Sequence, residues 1–561
     1  MAGINNIPMN AAELFIKCLE NEGVEYIFGV PGEENAHFMM ALQDSTIRFI
    51  LCRQEQGAAF MADVYGRLTG KPGVCLGTLG PGATNLVTGV ADANMDRSPL
   101  VVITGQADSR RQHKESHQYM DVVRMFRPIT KWAQPIIHSK NIPEVVRKAF
   151  KLAVMEKPGA CHIELADDIA AFAATGNPLP VQNPRRPVPD DKIVDRAMEL
   201  IRAARKPIIL AGNGAIRRRA AKQLRLFVEK TGIGVINTFM GKGSIPRSSP
   251  NCLFTIGLQA HDYTRVAIQE ADLVISLGYD LVEYEPRLWG QSSSKGSRTQ
   301  KIIHIDFIPA EVDEYYDVDV EIVGDLAHTL WMLNERLGDF RADYDCSCKT
   351  ALRTIMLHDF AEYKDDDTHG LIRPQKIIWD VREVLGPQDI LLSDVGAHKM
   401  WIARYYQCDE PNTCLISNGF CSMGFALPGA VAAKLVHPQR RVLAVCGDGG
   451  FLMNVQELET ARRIGANIVV LIWDDQEYGL IRWKQENQFG RHSDLHFNNP
   501  DFVRLAEAFG CKGFKVENSR DFKGVLEQAF HCEVPVLISV PIDYRENRLL
   551  SERLGKVACT I

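Results

Sequence analysis

Long hydrophobic runs are missing from this sequence. No window comes near the ~18 uninterrupted apolar residues that a membrane helix requires, and a dense run such as Ile468–Trp473 breaks off at Asp474. A charge bias is missing too: 64 Lys+Arg stand against 70 Asp+Glu, a net charge of −6 over 561 residues. That balance argues against a nucleic-acid partner and for a protein that handles small molecules. None of the 14 cysteines forms a Cys-x-x-Cys pair, so zinc-ribbon and thioredoxin-like sites are excluded. Scattered thiols such as Cys75 in VCLGT and Cys446 in LAVCG read instead as small buried hydrophobes. No Asn-x-Ser/Thr acceptor occurs, and Met1 to Asn10 lacks both signal-peptide and transit character. The expected location is the cytoplasm. Walker, HExxH and GxSxG patterns are absent, and Gly212-Asn213-Gly214 has Arg217 where a dinucleotide fingerprint needs its third glycine.

What is present points to a large multidomain α/β protein. A hydrophobic content of 46%, 24% charged residues and 43 glycines exclude disorder, collagen and coiled coil. Thr175–Asp191 holds five prolines in seventeen residues, the signature of an extended connector. A second break at Gly338–Lys349 is followed by Asp365-Asp366-Asp367. The expected domains are therefore 1–175, 190–340 and 370–561. Short apolar runs alternate with helix-period segments throughout, which predicts parallel sheets built from βαβ units.

The outer segments resemble each other. AAELFIKCLENEG leads to VEYIFGV and Gly32, as PQKIIWDVREVLG leads to DILLSDV and Gly396. VCLGTLGPG then runs through a helix into PLVVIT, as VLAVCGDGG runs through a helix into NIVVLIW. This order predicts one α/β module used twice around a different one. In such sheets ligands sit beyond the carboxyl ends of the strands, at glycine turns that admit helix N-termini. Asp448 and Asp475 end successive predicted strands, so their carboxylates can converge on one point and suit an octahedral Mg²⁺ beside a diphosphate. Taken alone, Asp448 also suits a helix cap and Asp475 a turn.

The pattern Gly447-Asp448-Gly449, 24 residues, Asp474-Asp475, then Tyr478-Gly479 resembles the thiamine-diphosphate motif. The chain is identified on it as resembling the acetolactate synthase family, nearest to its FAD-independent catabolic type. That resemblance implies Mg²⁺ on Asp448, Asp475 and the backbone carbonyl of Glu477, with Gly449, Gly450, Tyr478 and Gly479 around the cofactor. RQEQGAAFMADVYGRLTG matches the segment that carries the family's cofactor-activating carboxylate, which assigns that role to Glu55. By its sequence neighbours alone, Glu55 between Gln54 and Gln56 reads as a solvated loop residue. Thr78, Pro81 and Asn85 match positions that line the pyrimidine. Val395, Gly396, Ala397 and His398 match the diphosphate turn, Cys421 the carbonyl that accepts from the cofactor's amino group, and Met423 the wedge that bends it.

The implied reaction decarboxylates one pyruvate, with the thiazolium as electron sink, and joins it to a second to give 2-acetolactate. Alternatives are a FAD-free 2-keto acid decarboxylase or carboligase with another acceptor, a flavin-dependent oxidase, and a non-catalytic cofactor-binding relative. VISLGYDLVEYEPRLWG and HQYMDVVRMFRPITKWA look catabolic in type, so FAD is not expected, Gln118 is assigned to catalysis, and His117 and Lys131 are expected to face the reaction space. Glu34, Leu480, Arg482 and Lys484 complete the expected substrate contacts. Three departures stand out: Glu33-Glu34 replaces Ala-Lys, Lys484 replaces Gln, and TFMGKGSIP resembles the anabolic type. The resemblance further implies a homodimer or homotetramer with the cofactor between subunits.

Overall fold

The computed structural model describes residues 9–182, 186–217, 219–257, 263–292, 298–340, 343–547 and Leu550. Three six-stranded sheets carry the chain, with parallel pairing between all their neighbouring strands. Parallel strands are covered by helices on both faces, so they read as continuous apolar runs. Leu100–Gln106 and Ala160–Ala166 are buried along their whole length.

The first sheet takes Tyr26–Gly29, Arg48–Leu51, Gly73–Gly77, Leu100–Gln106, Trp132–Ile136 and Ala160–Ala166 in chain order, arranged in space as 2-1-3-4-6-5. The third takes Ile390–Ser393, Cys414–Ile416, Val442–Gly447, Val469–Asp474, Lys512–Lys515 and Val536–Pro541, in the same 2-1-3-4-6-5 arrangement. The middle sheet is built from Pro207–Ala211, Gly234–Asn237, Cys252–Thr255, Leu273–Leu277, Lys301–Asp306 and Val320–Val323 in the order 3-2-1-4-5-6. The repeated module and the different middle one are therefore real features of the fold. In the outer sheets the direction of winding changes between strands one and three. Ligand crevices form at such points, and both strands end there in the expected glycine turns.

Two compact units result. One holds the chain to residue 185 together with residues 427–438 and 454–466; the other holds the rest. Each expected break has its own outcome. The described residues between Thr175 and Asp190 form no helix or strand. The break after Gly338 instead runs into a helix, Ser347–Ala361, whose Met356 and Phe360 join the core of the middle sheet. Among the described residues, Cys75 and Cys446 are buried, as small apolar side chains. No described helix is long and apolar enough to cross a membrane.

Candidate functional site

In the first unit, the turn after Gly73–Gly77 and the starts of two helices form one cluster. Glu55 opens the helix Glu55–Thr69, and its side chain is buried, 8% exposed. Asn85 lies in the first turns of Pro81–Met95, a helix with proline at its start, where the missing N–H has no partner to lose. The Asn85 Nδ2 donates to Glu55 Oε2 at 2.9 Å. Gly89, one turn further on, lets the two helices touch: a Cβ there would stand 2.5 Å from that of Ala59. A Cβ on Gly82 would lie 3.3 Å from Glu55 Oε1 and 2.8 Å from Thr78, so Thr78, Gly82, Asn85 and Glu55 share one small space. Thr78 Oγ1 is 3.5 Å from Glu34 Oε2, and Glu34 faces Arg111 at 3.7 Å. Gly80 (φ +49°) is pressed against the Gln118 carbonyl, 2.7 Å from where its Cβ would be, which puts Gln118 beside the Pro81 turn. His117 and Gln118 are exposed.

Lys131 departs from its expected role. Its ammonium donates to the carbonyls of Leu152, Met155 and Lys157 at 2.6, 2.6 and 2.8 Å. It closes the carboxyl end of the helix Ile142–Val154, where a cation complements the dipole.

In the second unit the corresponding turns converge around three carboxylates. Asp448, 1% exposed, accepts from its own Gly449 N–H at 2.7 Å, from Gln476 N–H at 2.7 Å and from Asn499 Nδ2 at 2.7 Å. Asn499 also donates to Asp474 at 2.8 Å. Burial raises the Asp448 carboxyl despite these donors. Asp475 is pushed up to about 8 by burial and then by the charges of Asp448 and Glu477. Its Oδ2 lies 2.6 Å from the position of a Cβ on Gly479, so the carboxylate sits against the start of the helix Gly479–Phe489. A buried carboxylate and a half-buried one whose proton affinity it raises suit a hard divalent cation. Among the described residues no group of three His, Cys, Asp or Glu side chains is arranged to hold a metal, so further ligands would have to be a backbone carbonyl, diphosphate oxygens or water. Glu477's own carboxylate is engaged elsewhere, by Arg482 at 3.0 Å and His496 at 3.2 Å.

Asp394, invisible to motif reading, ties the turns together. It is fully buried, accepts from Val395 N–H at 2.7 Å and Gly424 N–H at 2.9 Å, and lies 3.3 Å from the Cβ position of Gly450. Burial pushes it up to about 6. It thus holds the Val395–Gly396 turn, the Cys421–Met423 segment and the Gly449–Gly450 turn in one arrangement. Gly396 (φ +155°) begins the helix Ala397–Tyr405, and a Cβ there would strike His398 at 2.9 Å. Burial lowers His398 to about 3, so the ring is neutral, and its Nε2 is buried with no hydrogen-bond partner among the described residues. Glycine turns, helix starts and an orphaned ring nitrogen fit an anionic group such as a diphosphate. Gly449 abuts Tyr478, whose ring packs edge-on to Phe497 at 5.1 Å. Cys421 has φ +56°, and Met423 is half-buried.

The expected substrate side chains divide. Arg482 bridges Glu477 at 3.0 Å and Glu486 at 2.9 Å, so its charge is already balanced and it is not a free anion holder. Leu480 packs on the core of the third sheet, and Lys484 is half-exposed. A cleft of about 730 Å³ is lined by Asp475, Glu477, Arg482, Trp483, Tyr544 and Arg545, among others. Asp394 could have been found by analogy, because it follows its strand directly as Asp448 follows the neighbouring strand Val442–Gly447. Asn499 carried no signal.

Comparison with known proteins follows the same division of the chain. Residues 9–125 match the N-terminal TPP binding domain of thiamine pyrophosphate enzymes, 194–333 the central domain and 394–540 the C-terminal TPP binding domain. The chain is 36% identical over 558 residues to the acetolactate synthase of Bacillus subtilis (strain 168), covering 98% of this chain and 96% of that one. It is also 36% identical to the catabolic acetolactate synthase of Raoultella terrigena, with 97% of each chain covered. A probable acetolactate synthase large subunit of Methanococcus aeolicus is 36% identical as well, over 95% of this chain and 92% of that one.

Proposed function

The chain belongs to the thiamine pyrophosphate enzyme family, and from that premise we propose that it is a Mg²⁺-dependent carboligase that condenses two pyruvates to 2-acetolactate and CO₂. The observation that carries the reading is Glu55, a buried carboxylate at a helix start, held by Asn85 beside Thr78 and Gly82. The likeness to acetolactate synthases supports the choice of reaction.

Thiamine diphosphate, when bound, supplies a nucleophilic carbon and an electron sink. The chain's own residues orient it and move protons. Glu55 would hydrogen-bond the cofactor's pyrimidine nitrogen and hold a proton there, from a carboxyl kept out of water. Asp448, Asp475 and the Glu477 carbonyl would hold Mg²⁺, which neutralises diphosphate charge; the amides near Gly396 and Gly449 would hold the phosphate oxygens, with His398 beside them. Cys421 and Met423 would set the bent form, and Gln118 would stand over the reacting centre. The cofactor would lie between two copies of the chain, in a homodimer or homotetramer.

A second observation bears on FAD. The middle sheet has the order typical of dinucleotide binding, but its glycine turn is already occupied. Glu283 accepts from Asn213 N–H at 3.0 Å, from Asp280 N–H at 3.0 Å and from Thr238 Oγ1 at 2.5 Å. An internal carboxylate thus takes the donors that a nucleotide phosphate would use, which supports a flavin-free enzyme. The alternative of a carboligase with another acceptor draws on the acidic Glu34 in the first unit and, separately, on Arg482 in the second, whose charge Glu477 and Glu486 already balance.

Purified protein supplied with thiamine diphosphate, Mg²⁺ and pyruvate should form acetolactate. Acetaldehyde alone would favour a decarboxylase, peroxide or a flavin spectrum an oxidase, and no turnover of any 2-keto acid a non-catalytic relative. Glu55→Gln should lower kcat by at least about 10²-fold; full activity in that variant would overturn the mechanism.

A further inference from the structure

Glu457 plays no part in the machinery assigned above, yet it is fully buried, 0% exposed. It starts the helix Glu457–Ile464, which lies in the same compact unit as Glu55. Its Oε1 accepts from the backbone N–H of Arg53 and of Gln54, each at 3.1 Å, and its Oε2 accepts from Thr460 Oγ1 at 2.7 Å. Gln54 is the N-cap of the helix that Glu55 opens. The carboxylate therefore sits at that helix's amino end, where amides point outward and the dipole favours an anion. Burial pushes its pKa up to about 7, a standing cost for the fold.

Two neighbours show that the contact is built in. Gly57, inside the helix, would place a Cβ 2.8 Å from Glu457 Oε1, so only glycine leaves the carboxylate its seat. Arg463, on the same helix as Glu457, donates to the Leu51 carbonyl. The backbone from Leu51 to Gln54, which aims Glu55, is thus gripped by one helix at three points.

We propose that Glu457 is a positioning residue for Glu55, fixing the entry of its helix so that its carboxylate meets the cofactor's pyrimidine nitrogen. This rests on the role given to Glu55 above. The test compares wild type, Glu457→Ala, Glu457→Gln and Gly57→Ala in the holoprotein. Solvent exchange of the cofactor's C2 proton, kcat, pyruvate KM and cofactor Kd are measured. Amide exchange at Arg53 and Gln54 is followed in the chain without cofactor.

Glu457→Ala should slow C2 exchange and kcat together by about 10²-fold, the scale of a misplacement near 1 Å, while Kd and KM stay unchanged. Glu457→Gln, whose amide oxygen can still accept, should fall between. Gly57→Ala should slow both rates although Glu457 is intact, and it should speed amide exchange at Arg53 and Gln54 as Glu457→Ala does. C2 exchange at the wild-type rate in Glu457→Ala would overturn the proposal, and so would losses of cofactor affinity and melting temperature that track the rate. If wild type itself fails to accelerate C2 exchange, the thiamine reading fails. In that case unchanged amide exchange in both variants would overturn the grip on the Glu55 helix separately, and faster exchange would support it.

Discussion

Asn85 reaches Glu55 at 2.9 Å because the helices that carry them touch one turn further on, where Gly89 meets Ala59. Residues four apart share a helix face, so the small pair at 59 and 89 brings the polar pair at 55 and 85 together. The placement of the Glu55 carboxylate thus depends on a packing contact that carries no polar atom.

Gly89→Ala would force a Cβ to within 2.5 Å of Ala59. Overpacking of this kind costs about 1–3 kcal/mol and should part Glu55 from Asn85. The expected outcome is a lower melting temperature with a lower kcat. Pairing it with Ala59→Gly should recover much of both, which thermal melts and steady-state kinetics would read.

Asn499 places one amide between two carboxylates, Asp448 and Asp474. Asn499→Ala leaves both acceptors without that donor and frees Asp448 to reorient. Mg²⁺ affinity should fall about 10–100-fold, as for other groups that support metal ligands. A Mg²⁺ titration of activity with thiamine diphosphate saturating would check this.

Lys131→Met removes the ammonium from two helix-terminal carbonyls, those of Leu152 and Met155, and from that of Lys157 just beyond. Stability should drop by about 1 kcal/mol, since the group is exposed and water replaces it in part. KM for pyruvate should not change. A rise in KM with unchanged stability would return Lys131 to the substrate site.

Glu164 is pushed up to about 7, first by burial, with Asp121 nearby adding to the rise and Gln106 opposing it. Its folded pKa lies above its unfolded one, so the folded state binds the proton more tightly. That stability is fully present below about pH 4 and is lost as pH rises through 7. Glu164→Gln keeps an acceptor for the Gln106 amide, 2.9 Å away in wild type. The variant should exceed wild type in stability at pH 8 by up to about 3 kcal/mol, with the gap closing toward pH 5. Urea titrations at the two pH values would measure it.

The sequence by itself determined the three sheets, the repeat and the chemistry-bearing turns. Apolar runs, glycines at strand ends and the spacing from Asp448 to Asp475 are local patterns, and each is written within a few tens of residues. Only the tertiary structure decided which charged groups are free to act. Arg482 and Lys131 were expected at substrate, yet one is neutralised by Glu477 and Glu486 and the other closes a helix. Asp394, Asn499, Glu283 and Glu457 had no motif to mark them. Glu457 and the Arg53 amide it accepts are 404 residues apart. Hydrogen bonding and desolvation depend on distance in space, and a separation of that length leaves no local pattern for them to be read from.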